Sequence, residues 1–356
     1  MAEDYSGVKP VDSRHQLDVE KLSGYLRTHI DGLQGRVAVE QFKGGQSNPT
    51  YRLTAADGRR FVLRRKPPGK LLPSAHAVDR EFRVIKALHG AGFPVAKPYM
   101  LCEDDAVLGT AFYVMDCVDG RVIWDQSLSG MSKAERGIIY GELNRVIAQL
   151  HTIDYKAIGL EDYGRPGNYV ARQVDRWTKQ YRASETQKLE AMDRLIEWLP
   201  KNVPPGDETS IVHGDYRLDN VMFHSTEPRV LAVLDWELST LGHPLADFAY
   251  HALAWHVPGG IFRGISELPL AELGIPSEQD YVAAYCRRTG RAEIPRAHWD
   301  YYIAYNLFRL AAILQGIAKR AIDGTAANSE AENAGKRAGP LAELGWTQVE
   351  KILARG

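Results

Sequence analysis

Between residues 210 and 235 a short strand-like run interrupts a stretch that otherwise repeats its apolar residues at helical spacing. It reads SIV, then HGDYRLDN (213–220), then VMF, a turn at HSTEPR, and VLAVLDWE. A segment of this kind buries its β-branched and aromatic side chains as a hairpin, and a hairpin folds its two ends back together. Asp215 and Asn220 lie on the loop before VMF and Asp235 lies beyond VLAV, so three oxygen-bearing side chains can converge. One amide oxygen and one carboxylate suit Mg²⁺, which completes its shell from water and phosphates. Asn220 and Asp235 are therefore the candidate metal ligands, and Asp215 is left free of the metal.

The flanking sequence divides in character. VAVEQF (37–42), YRLT, FVLRR, PYMLC and AFYVMDC predict five strands, with a tight turn at Asp57 and Gly58 and an acidic turn at EDD. One helix is predicted over VDREFRVIKALH, burying Val78, Phe82, Ile85 and Leu88, and another over LDVEKLSGYLRTHI, with Asp18 as its cap and Leu22, Leu26 and Ile30 on one face. This is an α+β region, a mostly antiparallel sheet with one helix and a leading helix ahead of it. Past residue 120 helices dominate. Ser132 and Glu135 form a capping box ahead of Ile139, Leu143, Val146, Ile147 and Leu150. Further helices run through YVARQVDRWTKQY, LEAMDRLIEWL, EQDYVAAYCRRTG, YYIAYNLFRLAAILQGIAKRA and PLAELGWTQVEKILA, and DGTAANSEAENAGKRAG reads as a mobile polar loop.

At 356 residues the chain exceeds the ~250 to 300 at which single cores stop growing, so two domains are expected. Its net charge of −1 supplies no global field to draw it to nucleic acid or an anionic membrane. Three cysteines without CxxC spacing fit a reducing compartment, and cytoplasmic residence is expected. The acidic opening MAEDYSGVKP lacks the apolar segment of a secretory signal and reads as a flexible lead. No apolar run approaches the ~20 residues needed to span a bilayer, so no membrane association is expected. HExxH, GxSxG and P-loop patterns are absent from the sequence.

The HGD with an asparagine five residues on resembles the catalytic loop of the aminoglycoside phosphotransferase family, the kinase-like counterpart of H-R-D-x-x-x-x-N, and LDWE resembles its second metal aspartate. The resemblance implies a protein-kinase-like two-lobed fold: residues 1–115 as a nucleotide-binding lobe with a five-stranded sheet, 116–120 as a hinge, and 121–356 as a helical lobe holding the catalytic loop and substrate site. It implies an enzyme using ATP and Mg²⁺. Asp215 is then the base or hydroxyl-orienting group, Asn220 and Asp235 hold the metal, and His213 and Asp247 brace the loop. GGQSNPT, with Gly44, Gly45, Ser47 and Asn48, is placed over the phosphates. Arg64 stands where the kinase pattern has lysine, with Arg65 as its neighbour in register, and Glu81 is the helix carboxylate that pairs with that cation. YVMDCVDG is the adenine hinge, through Met115 and the main chain of Asp116 and Val118.

FKGGQSNPTYRL, VLRRKPPGKLLPSAHAVDREFRVIKAL and RQVDRWTKQY extend the likeness over nearly the full chain to the kinase-like domain fused to, or encoded beside, acyl-CoA dehydrogenases. The implied acceptor is a small-molecule hydroxyl, a hydroxyacyl-CoA above others, and an acyl-CoA dehydrogenase is the implied partner. No flavin-enzyme segment is identified in the chain. Arg172, Arg176 and Lys179 share one helical face suited to an anionic ligand; Trp236, Glu237 and Arg263 of WHVPGGIFRGI complete the candidate substrate set. Two alternatives stand beside this reading: a nucleotide-binding pseudokinase partner of a dehydrogenase, and an aminoglycoside- or choline-type kinase.

Overall fold

The structure is a computed structural model that describes residues 7–43, 48–67, 77–324 and 331–355. It begins with β1 (Val8–Lys9) and α1 (Val19–His29). Asp18 caps α1 by accepting the Lys21 N–H at 3.0 Å, and Leu22 and Leu26 bury its inner face. β2 (Ala38–Phe42), β3 (Thr50–Thr54) and β4 (Arg60–Arg65) follow as an antiparallel meander. The β3–β4 turn places Gly58 at φ +86°, which a residue without Cβ adopts freely, and Asp57 accepts the Arg59 N–H. Then come α2 (Val78–Gly90), β5 (Pro98–Cys102), α3 (Asp105–Leu108), β6 (Phe112–Asp116) and β7 (Arg121–Val122).

The main sheet has six strands in the order β1-β2-β3-β4-β6-β5, one more than expected. The added strand lies in the segment read as a flexible lead: Val8 and Lys9 pair with Phe42 and Gln41. A two-residue strand has no pattern of its own and exists only through its partner. The core under this sheet joins Tyr51, Leu53, Phe61, Leu63, Phe112 and Val114 to Leu22, Leu26 and Ile30. The EDD turn is the start of α3, capped by Asp104.

Helix α2 departs from expectation in its phase. Its buried residues are Val78, Glu81, Val84, Ile85 and Leu88, while Phe82 is only half-buried. A carboxylate occupies the inward stripe because polar partners, described below, satisfy it there.

The remainder is mostly helical: α4 (Lys133–Thr152), α5 (Tyr169–Ser184), α6 (Glu190–Trp198), β8 (Ser210–Val212), β9 (Val221–Phe223), β10 (Val230–Val233), β11 (Thr240–Gly242), α7 (Pro244–Ala252), α8 (Gly259–Phe262), α9 (Leu270–Leu273), α10 (Glu278–Thr289), α11 (Arg296–Ile322), α12 (Ala331–Gly335) and α13 (Ala338–Leu353). Ser132 and Glu135 form both bonds of the capping box at α4. Helix α11 is mostly apolar on every side from Tyr301 to Leu314 and is buried accordingly, with Asn306 and Arg309 as its buried polar exceptions. Part of the span expected to be a mobile loop is α12, where Gly335 leaves room for Ala318.

The strand island is two separate ladders. β9 and β10 form the hairpin, with β7 as its third strand, whereas β8 pairs with β11.

The chain groups into two compact units, neither contiguous in sequence. The first comprises Met1–Trp124, Lys156–Tyr163 and Val221–Ser239; the second comprises Asp125–Tyr155, Gly164–Asn220 and Thr240–Gly356. Two segments of the span read as the helical lobe thus belong to the first unit. β9 joins it by pairing with β7, and residues 159–163 join it through Arg83 and Arg80 of α2, which donate to the carbonyls of Gly159 and Tyr163 at 2.9 and 2.7 Å. Among the described residues no helix is long and apolar enough to cross a membrane.

Candidate active site

In the first unit the chemistry gathers on Arg64. Strand alternation turns Arg64 and Arg65 to opposite faces. Arg65 is buried and donates to Thr110 Oγ1 and the Gln16 carbonyl, so it serves the sheet. Arg64 reaches three carboxylates: its Nε lies 2.9 Å from Glu81 Oε2, and its Nη2 lies 2.8 Å from Asp235 Oδ1 and 3.3 Å from Glu237 Oε2. Only 11% of its side chain is exposed. Burial works against its charge, but the surrounding carboxylates outweigh this and hold the guanidinium protonated.

Glu81 is the best-satisfied of the three. Asn48 Nδ2 donates to Oε1 at 2.9 Å and the Tyr113 hydroxyl to Oε2 at 3.0 Å. Burial pushes its carboxyl above the ordinary value, Arg64 opposes this, and the like charge of Asp235 adds to it. These partners explain how a glutamate sits on the buried stripe of α2. Asn48, expected over the phosphates, is fully buried and holds its side-chain amide on Glu81. Gly44, Gly45 and Ser47 lie outside the described residues.

Asp235 follows β10 at φ +63°, a left-handed conformation that a non-glycine residue rarely adopts and that turns its carboxylate toward Arg64. Trp236 does not fit the substrate role expected of it. It is 2% exposed, donates to the Val233 carbonyl and packs edge-on to Phe93, as a large ring next to a hairpin end is driven to do. Glu237 is exposed and turned to Arg64. On β6, Met115 pairs with Val62, and Asp116 donates its N–H to the Lys97 carbonyl while its carboxylate accepts the Tyr99 hydroxyl. Val118, half-buried, follows just past the strand.

In the second unit the first three peptides of HGDYRLDN are clamped. Asp247 of α7 accepts the N–H of His213 through Oδ2 and of Gly214 through Oδ1, both at 2.8 Å, and His151 Nε2 lies 3.2 Å from Oδ2. Burial alone would raise the Asp247 carboxyl; these donors hold it below its ordinary value. Gly214 takes φ +83°, and Arg309 of α11 donates to its carbonyl at 2.7 Å. His213, fully buried, accepts the Asp215 N–H on Nδ1.

The Asp215 carboxylate is held from two sides. Oδ1 accepts the Tyr250 hydroxyl at 2.6 Å; Oδ2 accepts Asn220 Nδ2 at 3.0 Å and Arg217 Nη2 at 3.1 Å. Asn220 Nδ2 also donates to the Asp215 carbonyl. With that nitrogen committed, Asn220 Oδ1 is the atom with the chemistry of a metal ligand. Among the described residues no cluster of three or more His, Cys, Asp or Glu side chains suits a metal. The amide oxygen of Asn220 and the carboxylate of Asp235 are each hard oxygen donors, of the kind that suits Mg²⁺ and not zinc or copper.

Other expected substrate residues have structural partners. Arg172 donates to the carbonyls of Gly167 and Arg165, and so pins the loop ahead of α5. Arg176 is exposed and stacks on Trp177, and Lys179 pairs with Asp175 at the surface. Arg263, left-handed at φ +43°, binds the buried Asp219 of the catalytic loop, which Arg217 also approaches at 3.4 Å. Tyr250, Arg309, Arg217 and Asp219 were not singled out from the sequence. Tyr250 carries one usable signal, its position three residues after Asp247 and hence on the same face of α7.

Known proteins resemble the chain along most of its length. The model of the phosphotransferase enzyme family matches residues 38–299. Among curated proteins, mouse acyl-CoA dehydrogenase family member 10 is 47% identical over 93% of this chain and 30% of its own length, and mouse family member 11 is 44% identical over 96% and 44%. The chain thus spans less than half of the relatives it matches. A crystal structure from Ralstonia eutropha JMP134, provisionally described as an aminoglycoside phosphotransferase, is 57% identical with a TM-score of 0.87 and covers 94% of this chain and 99% of its own. Choline kinase from Cryptosporidium parvum shares the fold at a TM-score of 0.65 and 12% identity, over 95% of this chain and 97% of its own.

Proposed function

The chain belongs to the phosphotransferase enzyme family, and on that premise we propose that it transfers the terminal phosphate of ATP, with Mg²⁺, to an alcohol group of a small molecule. The observation that carries this reading is the Asp215 carboxylate, held in one orientation by Tyr250 and Asn220 on a loop whose peptides are clamped by Asp247 and Arg309. Such restraint is what phosphoryl transfer asks of its base, because the loose transition state rewards positioning over basicity.

Asp215 orients the acceptor hydroxyl and takes its proton as that oxygen bonds the terminal phosphorus and the bond to the leaving diphosphate breaks. Arg64, kept charged by Glu81, faces the phosphates. Asn220 and Asp235 are the proposed metal ligands; the hairpin register supports them, since Val221, which follows Asn220, pairs with Val233, two residues before Asp235. The metal, when bound, supplies charge neutralisation on the phosphate oxygens. Met115, Asp116 and Val118 remain the proposed adenine hinge.

The proposed acceptor is a hydroxyacyl-CoA and the proposed partner an acyl-CoA dehydrogenase. The support is the naming of the curated relatives, of whose length this chain matches the minor part. The basic face of α5 adds little, given the partners of Arg172 and Lys179. A pseudokinase would be expected to have lost part of the Asp215, Asn220 and Asp235 set, and all three are present.

The test incubates the protein with labelled ATP, Mg²⁺ and a panel of hydroxyacyl-CoAs, aminoglycosides and amino alcohols. Asp215→Ala should abolish transfer and leave ATP affinity within about twofold. Transfer to an aminoglycoside alone would reverse the acceptor assignment, and nucleotide binding without transfer would favour the pseudokinase.

A further inference from the structure

We propose that Tyr250 and Arg309 are positioning residues for phosphoryl transfer: together they fix which lone pair of Asp215 meets the acceptor hydroxyl. This rests on the reading of Asp215 given above.

An ionised carboxylate has about four lone-pair sites. Two on Oδ2 are taken by Asn220 and Arg217, and one on Oδ1 by Tyr250, whose 2.6 Å contact is the shortest of the three. Removing the Tyr250 hydroxyl takes away the short hydrogen bond on Oδ1 and leaves that oxygen with the Arg217 Nε contact at 3.1 Å, so the carboxylate keeps its Oδ2 bonds but is held less sharply about Cβ–Cγ, a broad torsion in aspartate. Arg217 Nε lies 3.1 Å from the same Oδ1, so an acceptor hydroxyl must meet that oxygen on the side that the Tyr250 hydroxyl and Arg217 leave between them.

Tyr250 is itself held. It is buried, and burial next to Asp215 raises its pKa and keeps the phenol protonated as a donor. The Arg309 guanidinium stacks on its ring at 4.9 Å and on the Trp177 ring at 5.6 Å, while its Nη2 donates to the Gly214 carbonyl. One side chain from α11 therefore ties the phenol that aims Asp215 to the peptide that carries Asp215. Asn306, one turn earlier on α11, donates to the Ala246 carbonyl at 2.8 Å and so docks α7, the helix that bears Tyr250. A buried arginine that meets a carbonyl and two ring faces suits a geometric role, in which a planar ion sets angles, more than a purely electrostatic one.

The experiment measures kcat and KM for ATP and for the acceptor found in the panel, in wild type, Tyr250→Phe, Arg309→Lys and Arg309→Met. Tyr250→Phe keeps the ring and its stacking on Arg309. It should lower kcat about 10- to 100-fold with KM for ATP within about twofold and Tm nearly unchanged, the split expected when an interaction is lost in the transition state alone. Arg309→Lys should restore less than half of what Arg309→Met removes, since a lysine carries the charge without the plane. A Tyr250→Phe protein with kcat within twofold of wild type overturns the proposal, as does full rescue by Arg309→Lys. A wild type that transfers phosphate to nothing tested defeats the parent reading and this one with it, an outcome distinct from an active wild type with an unaffected variant.

Discussion

Asp247→Asn tests how the HGD loop is held. Aspartate offers two acceptor oxygens and asparagine one. Here Oδ1 serves Gly214 and Oδ2 serves His213 and His151. An amide with its oxygen on the Oδ2 side keeps two of the three contacts and turns an NH₂ group against the Gly214 N–H, donor to donor. The loss of one hydrogen bond to a charged group and the stranding of one buried N–H together cost about 3 to 5 kcal/mol. For a cooperative unit of about 200 residues each kcal/mol moves Tm by ~2 to 4 °C, so a fall of about 10 °C is expected in scanning calorimetry at pH 7. The pH dependence follows. Because the folded-state pKa of Asp247 is depressed, its stabilisation is complete above the ordinary carboxylate range and is lost as pH falls through the folded value, so the gap between wild type and variant should narrow in acid. A fall below about 2 °C at pH 7, or a gap that widens in acid, would refute the account of the clamp.

Arg64→Ala strands the buried Glu81 carboxylate and should destabilise the first unit by about 3 to 5 kcal/mol, read by urea denaturation, whereas Arg64→Lys should lose less than half of that and still weaken ATP binding. Buried His243 and His251, both depressed to about 4 by desolvation, are neutral in the folded chain, so stability should decline as pH falls from ~6.5 to ~4, by up to ~1.4 kcal/mol per pH unit for each. A flat midpoint in denaturant titrations across that window would contradict their burial as neutral groups.

Regular elements with local signals were legible in the sequence: the Asp18 cap and α1, the Ser132 capping box and α4, and the run from β2 to β6 at nearly the expected bounds. Elements defined by a distant partner were not. β1, β7 and β11 are two or three residues long and exist only because β2, β9 and β8 lie beside them. In the candidate site, the residue types of the HGD loop and of LDWE were legible, as was the bracing Asp247 through the family pattern, whereas Tyr250 and Arg309 were hidden. Glu81 was found by its place in a family pattern, although its burial contradicts the surface expected of a glutamate. Arg309, 95 residues from the carbonyl it binds, left no trace in local spacing. Trp236 and Arg172 misled because an aromatic or a cation near a motif reads as a ligand contact until its packing and carbonyl partners are known.

The interleaved composition of the first unit bears on how the chain is made and cut. Its third segment begins at Val221, so about a hundred residues must be made after β7 before β9 can pair with it. A fragment ending near residue 124 would expose β7 as a bare edge and leave Arg64 with Glu81 but without Asp235 and Glu237. Anyone seeking the first unit in isolation would have to splice three pieces, and a protease nick between residues 164 and 220 would sever that unit while cleaving none of its own residues.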